Sequence, residues 1–190
     1  MRNVKRKFAT ILASDCVGFS KHMVEDEEKT LDALNSCREI IDSFIEKHFG
    51  RIFHTAGDSV LAEFDSSVEA VTCAISFQEA MNSRNISLKN SMDRENRKLV
   101  WRVGIHSDDV IFENENVYGN GVNIAARLEA QCAPGQILVS RLVNDQVASR
   151  VEAIFRAAGT KKLKNITNEF EVFLISTDRT AYAELEKVVE

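Results

Sequence analysis

The chain has 190 residues, 44% of them hydrophobic and 28% charged, with a formal net charge of −5, the balance of one globular domain with an ordinary solvated surface. That acidic balance excludes a general nucleic-acid binder, which carries a basic field, and no stretch reaches the roughly 18 apolar residues of a membrane span. Cys16, Cys37, Cys73 and Cys132 lack CxxC spacing and the His clustering of a zinc site, so they read as free, buried thiols in a reducing cytoplasm.

The basic start (MRNVKRK) followed by apolar residues has the order of a secretory signal, but Ser14 and Asp15 interrupt the apolar run early, and the segment reads as part of the domain. Phe8 to Ser14 is a buried strand. Asp15 to Ser20 follows as a turn around Gly18. Apolar residues at helical spacing (Leu31, Leu34, Ile41, Phe44, Ile45) predict one long helix over 25–48 with an acidic first turn, closed by Gly50. Arg51 to Thr55 and Val60 to Phe64 form a hairpin around Ala56-Gly57-Asp58-Ser59. A second helix covers 68–81, and the polar stretch 83–98 reads as a loop or frayed extension. Strands follow at 99–106 and from 109 to 112, then a polar loop over 113–121, a helix over 122–131, a strand over 137–140 and a short helix over 141–147. Strands at 153–156, 161–163 and 171–175 precede a charged tail, 178–190. The pattern predicts one α+β domain, core about 7–175, with helices packed on a mostly antiparallel sheet.

Two acids draw attention to chemistry. Asp15 ends a buried strand and Asp58 sits in a hairpin turn. Each alone is an ordinary strand-end or turn residue. Brought together, two carboxylates with open positions suit Mg²⁺, which keeps waters and takes phosphate oxygens, and paired metals can activate an attacking oxygen and stabilise a leaving one. The turn Cys16-Val17-Gly18-Phe19 can offer backbone N–H groups to phosphate. Asn123 and Arg127 are i and i+4 on one helix face and can enter one cleft; without further context they are a cap and a solvated charge.

The motifs ASDCVGFS, HTAGDSVLAEF, WRVGIHSDDV and VYGNGVNIAARLEA occur in that order. From about Lys7 to Ile175 the chain resembles the class III adenylate/guanylate cyclase catalytic domain, in its single-domain bacterial form. That resemblance implies a ferredoxin-like βαββαβ core and conversion of a nucleoside triphosphate to its 3′,5′-cyclic nucleotide and pyrophosphate. It implies two divalent cations, Mg²⁺ or Mn²⁺, held by Asp15, Asp58 and the backbone of Cys16. The triphosphate would lie on the turn Val17-Gly18-Phe19, on Arg102 and on Lys164, while Asn123 and Arg127 position the ribose and stabilise the transition state. It also implies a head-to-tail homodimer with two shared sites, in the cytoplasm, with neither nucleic acid nor membrane as partner.

The base-reading positions depart from the family. His54 stands where adenylate cyclases carry Lys, and Asn116 where they carry Asp or Thr; the Glu and Cys of guanylate cyclases are absent. An Asn amide donates and accepts at once and can meet uracil or, flipped, cytosine, while a bulky His54 suits a smaller base. In this the chain resembles the stand-alone pyrimidine cyclases of Pycsar anti-phage defence, which make cyclic UMP or CMP for a separate cyclic-nucleotide-binding effector. UTP is then favoured over CTP. The alternatives are an adenylate or guanylate cyclase with an atypical base pocket, and an inactive nucleotide-binding or dimerising domain. Asp108 also replaces the Gly usual at the end of GIHSG.

Overall fold

A computed structural model describes residues 5–90, 97–164, 166 and 169–176. β1 (Lys5–Cys16) leads through a turn into α1 (Phe19–Glu25) and α2 (Glu27–Lys47), then the hairpin β2 (Arg51–Ala56) and β3 (Ser59–Phe64), α3 (Ser67–Asn90) and β4 (Trp101–Glu113). These strands lie in the order β2-β3-β1-β4, every neighbour antiparallel. This is the expected βαββαβ core. β5 (Asn116–Tyr118) folds back on β4, α4 (Asn120–Gln131) follows, and β6 (Ile137–Ser140) pairs parallel with β4. After α5 (Arg141–Val147), β7 (Ile154–Lys162) and β8 (Glu169–Ser176) complete an eight-stranded sheet.

Both faces of the central strands are covered, so β1 reads as a continuous apolar run rather than an alternating one. Its Leu12 and Cys16 face the larger core, with Ala33, Cys37 and Ile41 of α2, Val71, Ala74 and Phe77 of α3, and Val143 of α5. Its Ala9, Ile11 and Ala13 face the other side, against Ala125 of α4. Among the described residues, α4 is the one helix on that face. It descends onto the sheet at Gly104, where a Cβ would stand 2.2 Å from the Glu129 nitrogen and 2.4 Å from the Ala125 oxygen. Only a residue without a side chain admits that approach. The four cysteines are free and buried, as expected, and burial pushes the thiols of Cys16, Cys73 and Cys132 up to about 12, which makes them inert.

Several boundaries differ from the sequence reading. The helix expected from Glu25 is two helices, because Asp26 (φ −164°) caps α2 by accepting the Lys29 N–H at 3.1 Å. Phe49 (φ 59°), not Gly50, takes the left-handed position after α2; Gly50 is small because a Cβ there would meet the Phe64 ring at 2.4 Å. α3 continues through part of the stretch read as a loop, to Asn90, with Met81 buried and Asn85 donating to the Leu99 carbonyl; residues 91–96 lie outside the described residues. The two strands expected over 99–112 are one, since β1 pairs with β4 without interruption from Cys16↔Trp101 to Lys5↔Phe112. The polar Ser107 lies inside that strand, satisfied by Thr10 Oγ1 at 2.8 Å. The loop over 113–121 contains β5, reached through a two-residue turn with Asn114 and Glu115 at positive φ. The strands expected at 153–156 and 161–163 merge into one, β7 (Ile154–Lys162), which leaves out Ala153 and Leu163 and has a bulge between Ala157 and Thr160. The tail 178–190 lies outside the described residues.

Candidate active site

The register of β1 on β4 places Asp15 opposite Arg102. Asp15 follows Ala9, Ile11 and Ala13 on the α4 side of the strand, just past the apolar stretch. The β2–β3 turn brings Asp58 to the same place. Gly57 makes that turn at φ 59°, with open space around it, so backbone freedom and not size accounts for the glycine. Asp58 Oδ2 accepts the Cys16 N–H at 2.9 Å, which locks the hairpin tip to the end of β1. Asp15 Oδ1 accepts from Ser59 Oγ at 3.3 Å, and Asp15 Oδ2 from Arg102 Nη2 at 2.9 Å.

The carboxyls of Asp15 and Asp58 lie close enough that each shifts the other's titration. Burial raises both. For Asp15 the hydrogen bonds to Asp58 and Arg102 outweigh burial and bring it below the ordinary carboxylate range. Asp58, raised by burial and by the Asp15 charge, is pushed up to about 6. Two carboxylates with pKa values driven apart are the signature of a shared, under-neutralised site.

The turn after Asp15 is built by Gly18, which takes φ 69° and precedes α1; nothing lies within 4 Å of where a Cβ would stand. Two of the N–H groups expected to face phosphate are engaged within the chain: Cys16 with Asp58, and Val17 with the Val100 carbonyl at 2.8 Å.

Glu129 is the residue that the sequence reading missed. Its Oε1 lies 2.5 Å from Arg102 Nε, while Arg102 Nη1 donates to the Ala130 carbonyl at 3.3 Å. Arg102 is therefore shared between Asp15 and the C-terminal end of α4. Burial pushes Glu129 up to about 7 against the attraction of Arg102. The sequence shows only that Arg102 and Gly104 share a strand face and that Glu129 is one helical turn after Ala125; the crossing that joins them at Gly104 is a tertiary contact.

Asn123 and Arg127 are both exposed, on the side of α4 turned from the sheet. None of the contacts among the described residues joins them to the Asp15–Asp58 pair, which reaches α4 only through Arg102, at Glu129 and Ala130 near the helix C-terminus. Lys164 is exposed just after β7, next to buried Leu163. His54 on β2 and Asn116 on β5 are exposed on neighbouring elements, since Arg51 Nη1 of β2 donates to the Glu115 carbonyl at 2.6 Å. No group of three or more His, Cys, Asp or Glu with metal-binding spacing occurs among the described residues, and no helix among them is long and apolar enough to cross a membrane.

Comparison with known proteins gives a consistent result. A Rhizobium meliloti (strain 1021) protein called "Putative adenylate cyclase 3" is 37% identical over 172 residues, which are 90% of this chain and 28% of that protein. The chain thus spans under a third of the length of that curated relative. The crystal structure of an adenylate/guanylate cyclase/hydrolase from Silicibacter pomeroyi is 36% identical, with a TM-score of 0.83 over 93% of this chain and 100% of that one. The adenylyl cyclase CyaB from P. aeruginosa, at 23% identity and a TM-score of 0.81 over 93% of this chain and 97% of that one, shares the fold. The family model for the adenylate and guanylate cyclase catalytic domain matches residues 3–177, and the chain belongs to that family.

Proposed function

We propose that the chain is the catalytic unit of a nucleotidyl cyclase, converting a nucleoside triphosphate to its 3′,5′-cyclic nucleotide and pyrophosphate. The observation that carries this reading is the meeting of Asp15 and Asp58, two strand- and turn-end carboxylates tied together through the Cys16 N–H with Arg102 as their only close cation among the described contacts. The pair fits divalent cations. It offers hard oxygen donors, it is short of positive charge, and Mg²⁺ sites commonly use one or two carboxylates plus substrate phosphates. Two Mg²⁺ or Mn²⁺ ions, when bound by Asp15, Asp58 and the Cys16 carbonyl, would supply charge neutralisation and a lower pKa for the ribose 3′-hydroxyl.

The remaining work falls to the chain. Gly18 and Phe19 are the part of the turn left for the triphosphate, since the Cys16 and Val17 N–H groups have internal partners. Arg102 turns from Asp15 toward phosphate and Lys164 adds a second positive charge. Asn123 orients the ribose and Arg127 faces the charge that develops at the α-phosphate. The 3′-oxygen bonds to the α-phosphorus, the bond from the α-phosphorus to the α,β-bridging oxygen breaks to release pyrophosphate, and the hydroxyl proton passes to solvent. No covalent protein intermediate is needed, in keeping with the inert thiols. Because Asn123 and Arg127 lie away from the carboxylate pair, a second copy of the chain supplies them, giving two shared sites in a twofold dimer.

His54 and Asn116 select the base in this reading. An amide that both donates and accepts suits a pyrimidine, UTP ahead of CTP, and the product would act as a messenger read by a separate effector, as in anti-phage defence. A second reading, an adenylate cyclase with an atypical pocket, is favoured by the 37% identical relative. Incubation of the purified protein with ATP, GTP, CTP and UTP together, with Mn²⁺ or Mg²⁺, decides between them. Cyclic UMP or CMP as main product supports the first, and cyclic AMP supports the second. Asp58→Ala is expected to lower turnover at least about 10²-fold, the scale of losing one transition-state electrostatic group. A folded Asp58→Ala protein with full activity contradicts the assignment of the pair.

A further inference from the structure

Asp108 is the departure from the family motif that the proposed chemistry leaves unexplained. It lies on the α4 face of β4, four residues beyond Gly104 and six beyond Arg102, so these positions together form the track on which α4 rests. Asp108 meets the opposite end of the helix from Glu129. A Cβ on Gly121 would stand 2.5 Å from Asp108 Cβ and 3.2 Å from its Oδ2. Gly121 is buried and lies in the first turn of α4, whose N-cap Gly119 provides no side-chain cap. Asp108 Oδ1 accepts the Asp109 N–H at 2.8 Å, which fixes the carboxylate while Oδ2 faces that first turn.

A carboxylate against the positive end of a helix is favourable, and here it comes from a neighbouring strand through a gap that only glycine leaves. We propose that Asp108 is a positioning residue for α4: seated at Gly121, it sets the height of the helix start and so the placement of Asn123, two residues on, and of Arg127. This rests on the cyclase reading for its effect on turnover, while the packing itself does not. Size at one position and size at the other are thereby coupled. The strand supplies the bulk and the charge, and the helix supplies the space.

The test is a double-mutant cycle with Gly121→Ala, Asp108→Gly, Asp108→Asn and the pair Asp108→Gly/Gly121→Ala, read by thermal unfolding and by steady-state kinetics on whichever triphosphate the wild type turns over. Gly121→Ala is expected to lower kcat roughly 10- to 100-fold, the scale of a displaced catalytic group, with KM changed less than about twofold. In the Asp108→Gly background the same alanine is expected to cost at most about a fifth as much, because the space is open. Asp108→Asn keeps the volume and removes the charge, and a severalfold kcat loss with KM held marks the carboxylate as the active feature. Equal Gly121→Ala losses in both backgrounds overturn the coupling. Asp108→Gly and Asp108→Asn proteins with kcat within about twofold of wild type overturn the positioning role. If the wild type turns over no triphosphate, the cyclase reading has failed, and the unfolding temperatures of the four variants still report the coupling by themselves.

Discussion

Replacing Gly104 with alanine puts a methyl group 2.2 Å from the Glu129 nitrogen and 2.4 Å from the Ala125 oxygen. Both are backbone atoms of α4, so no rotamer change relieves the contact. Ordinary contact begins at 3.4 Å, and the helix must move by about 1.2 Å, the difference between 3.4 and 2.2 Å, to restore it. Overpacking of this kind costs about 1–3 kcal/mol. In a domain of this size about 1 kcal/mol lowers the unfolding temperature by about 2–4 °C, so the expected fall is roughly 2–12 °C. Asn123, Arg127 and Glu129 move with the helix, and a misplacement near 1 Å can cost on the order of 10²-fold in rate. The assay is thermal unfolding with cyclic-nucleotide release for wild type, Gly104→Ala and Gly159→Ala. Gly159 has φ 77° and open surroundings, so its alanine variant carries a backbone penalty of about 1–2 kcal/mol while turnover is kept. A Gly104→Ala protein with the wild-type unfolding temperature and rate would refute the claim that α4 is seated on that glycine.

The other predictions concern Glu129 and the base. Burial raises Glu129 from 4.5 to about 7, so the folded chain holds a proton there that the unfolded chain releases. That contribution is complete below about pH 4.5 and is lost as pH rises through 7. Wild type is therefore expected to lose unfolding temperature between those values more steeply than Glu129→Gln, which cannot titrate; parallel curves in differential scanning fluorimetry contradict this. Asn116→Ala is expected to relax the choice among the four triphosphates in direct competition while leaving Mn²⁺ binding by calorimetry unchanged. An unaltered product ratio removes Asn116 from base selection.

Much of the fold was legible because its elements carry strong local signals: the apolar run of β1, the 3.6-residue spacing in α2, and the Gly-Asp turn between β2 and β3. What escaped depended on tertiary partners. Ser107 and Asp108 looked like a break in a strand, yet Ser107 is buried against Thr10 and Asp108 is seated against Gly121. α3 ran on through a polar stretch because Met81 is buried and Asn85 bonds a strand carbonyl. In the site, Asp15, Asp58 and Arg102 were named from the motifs, and the fold brings them together. Glu129 was not named, since its meaning comes only from the helix crossing at Gly104. The separation of Asn123 and Arg127 from the carboxylates is likewise invisible in a one-dimensional spacing.

That separation makes the shared site the central claim, and mixing two inactive proteins tests it most directly. Asp58→Ala chains lack one half of the proposed site and Arg127→Ala chains lack the other. Each alone is expected to be nearly inactive. After co-refolding in equal amounts, half of the dimers pair unlike chains and each of those has one intact site, so activity should return to about a quarter of wild type. Folded, dimeric mixtures that stay as inactive as their components would contradict a site assembled from two copies.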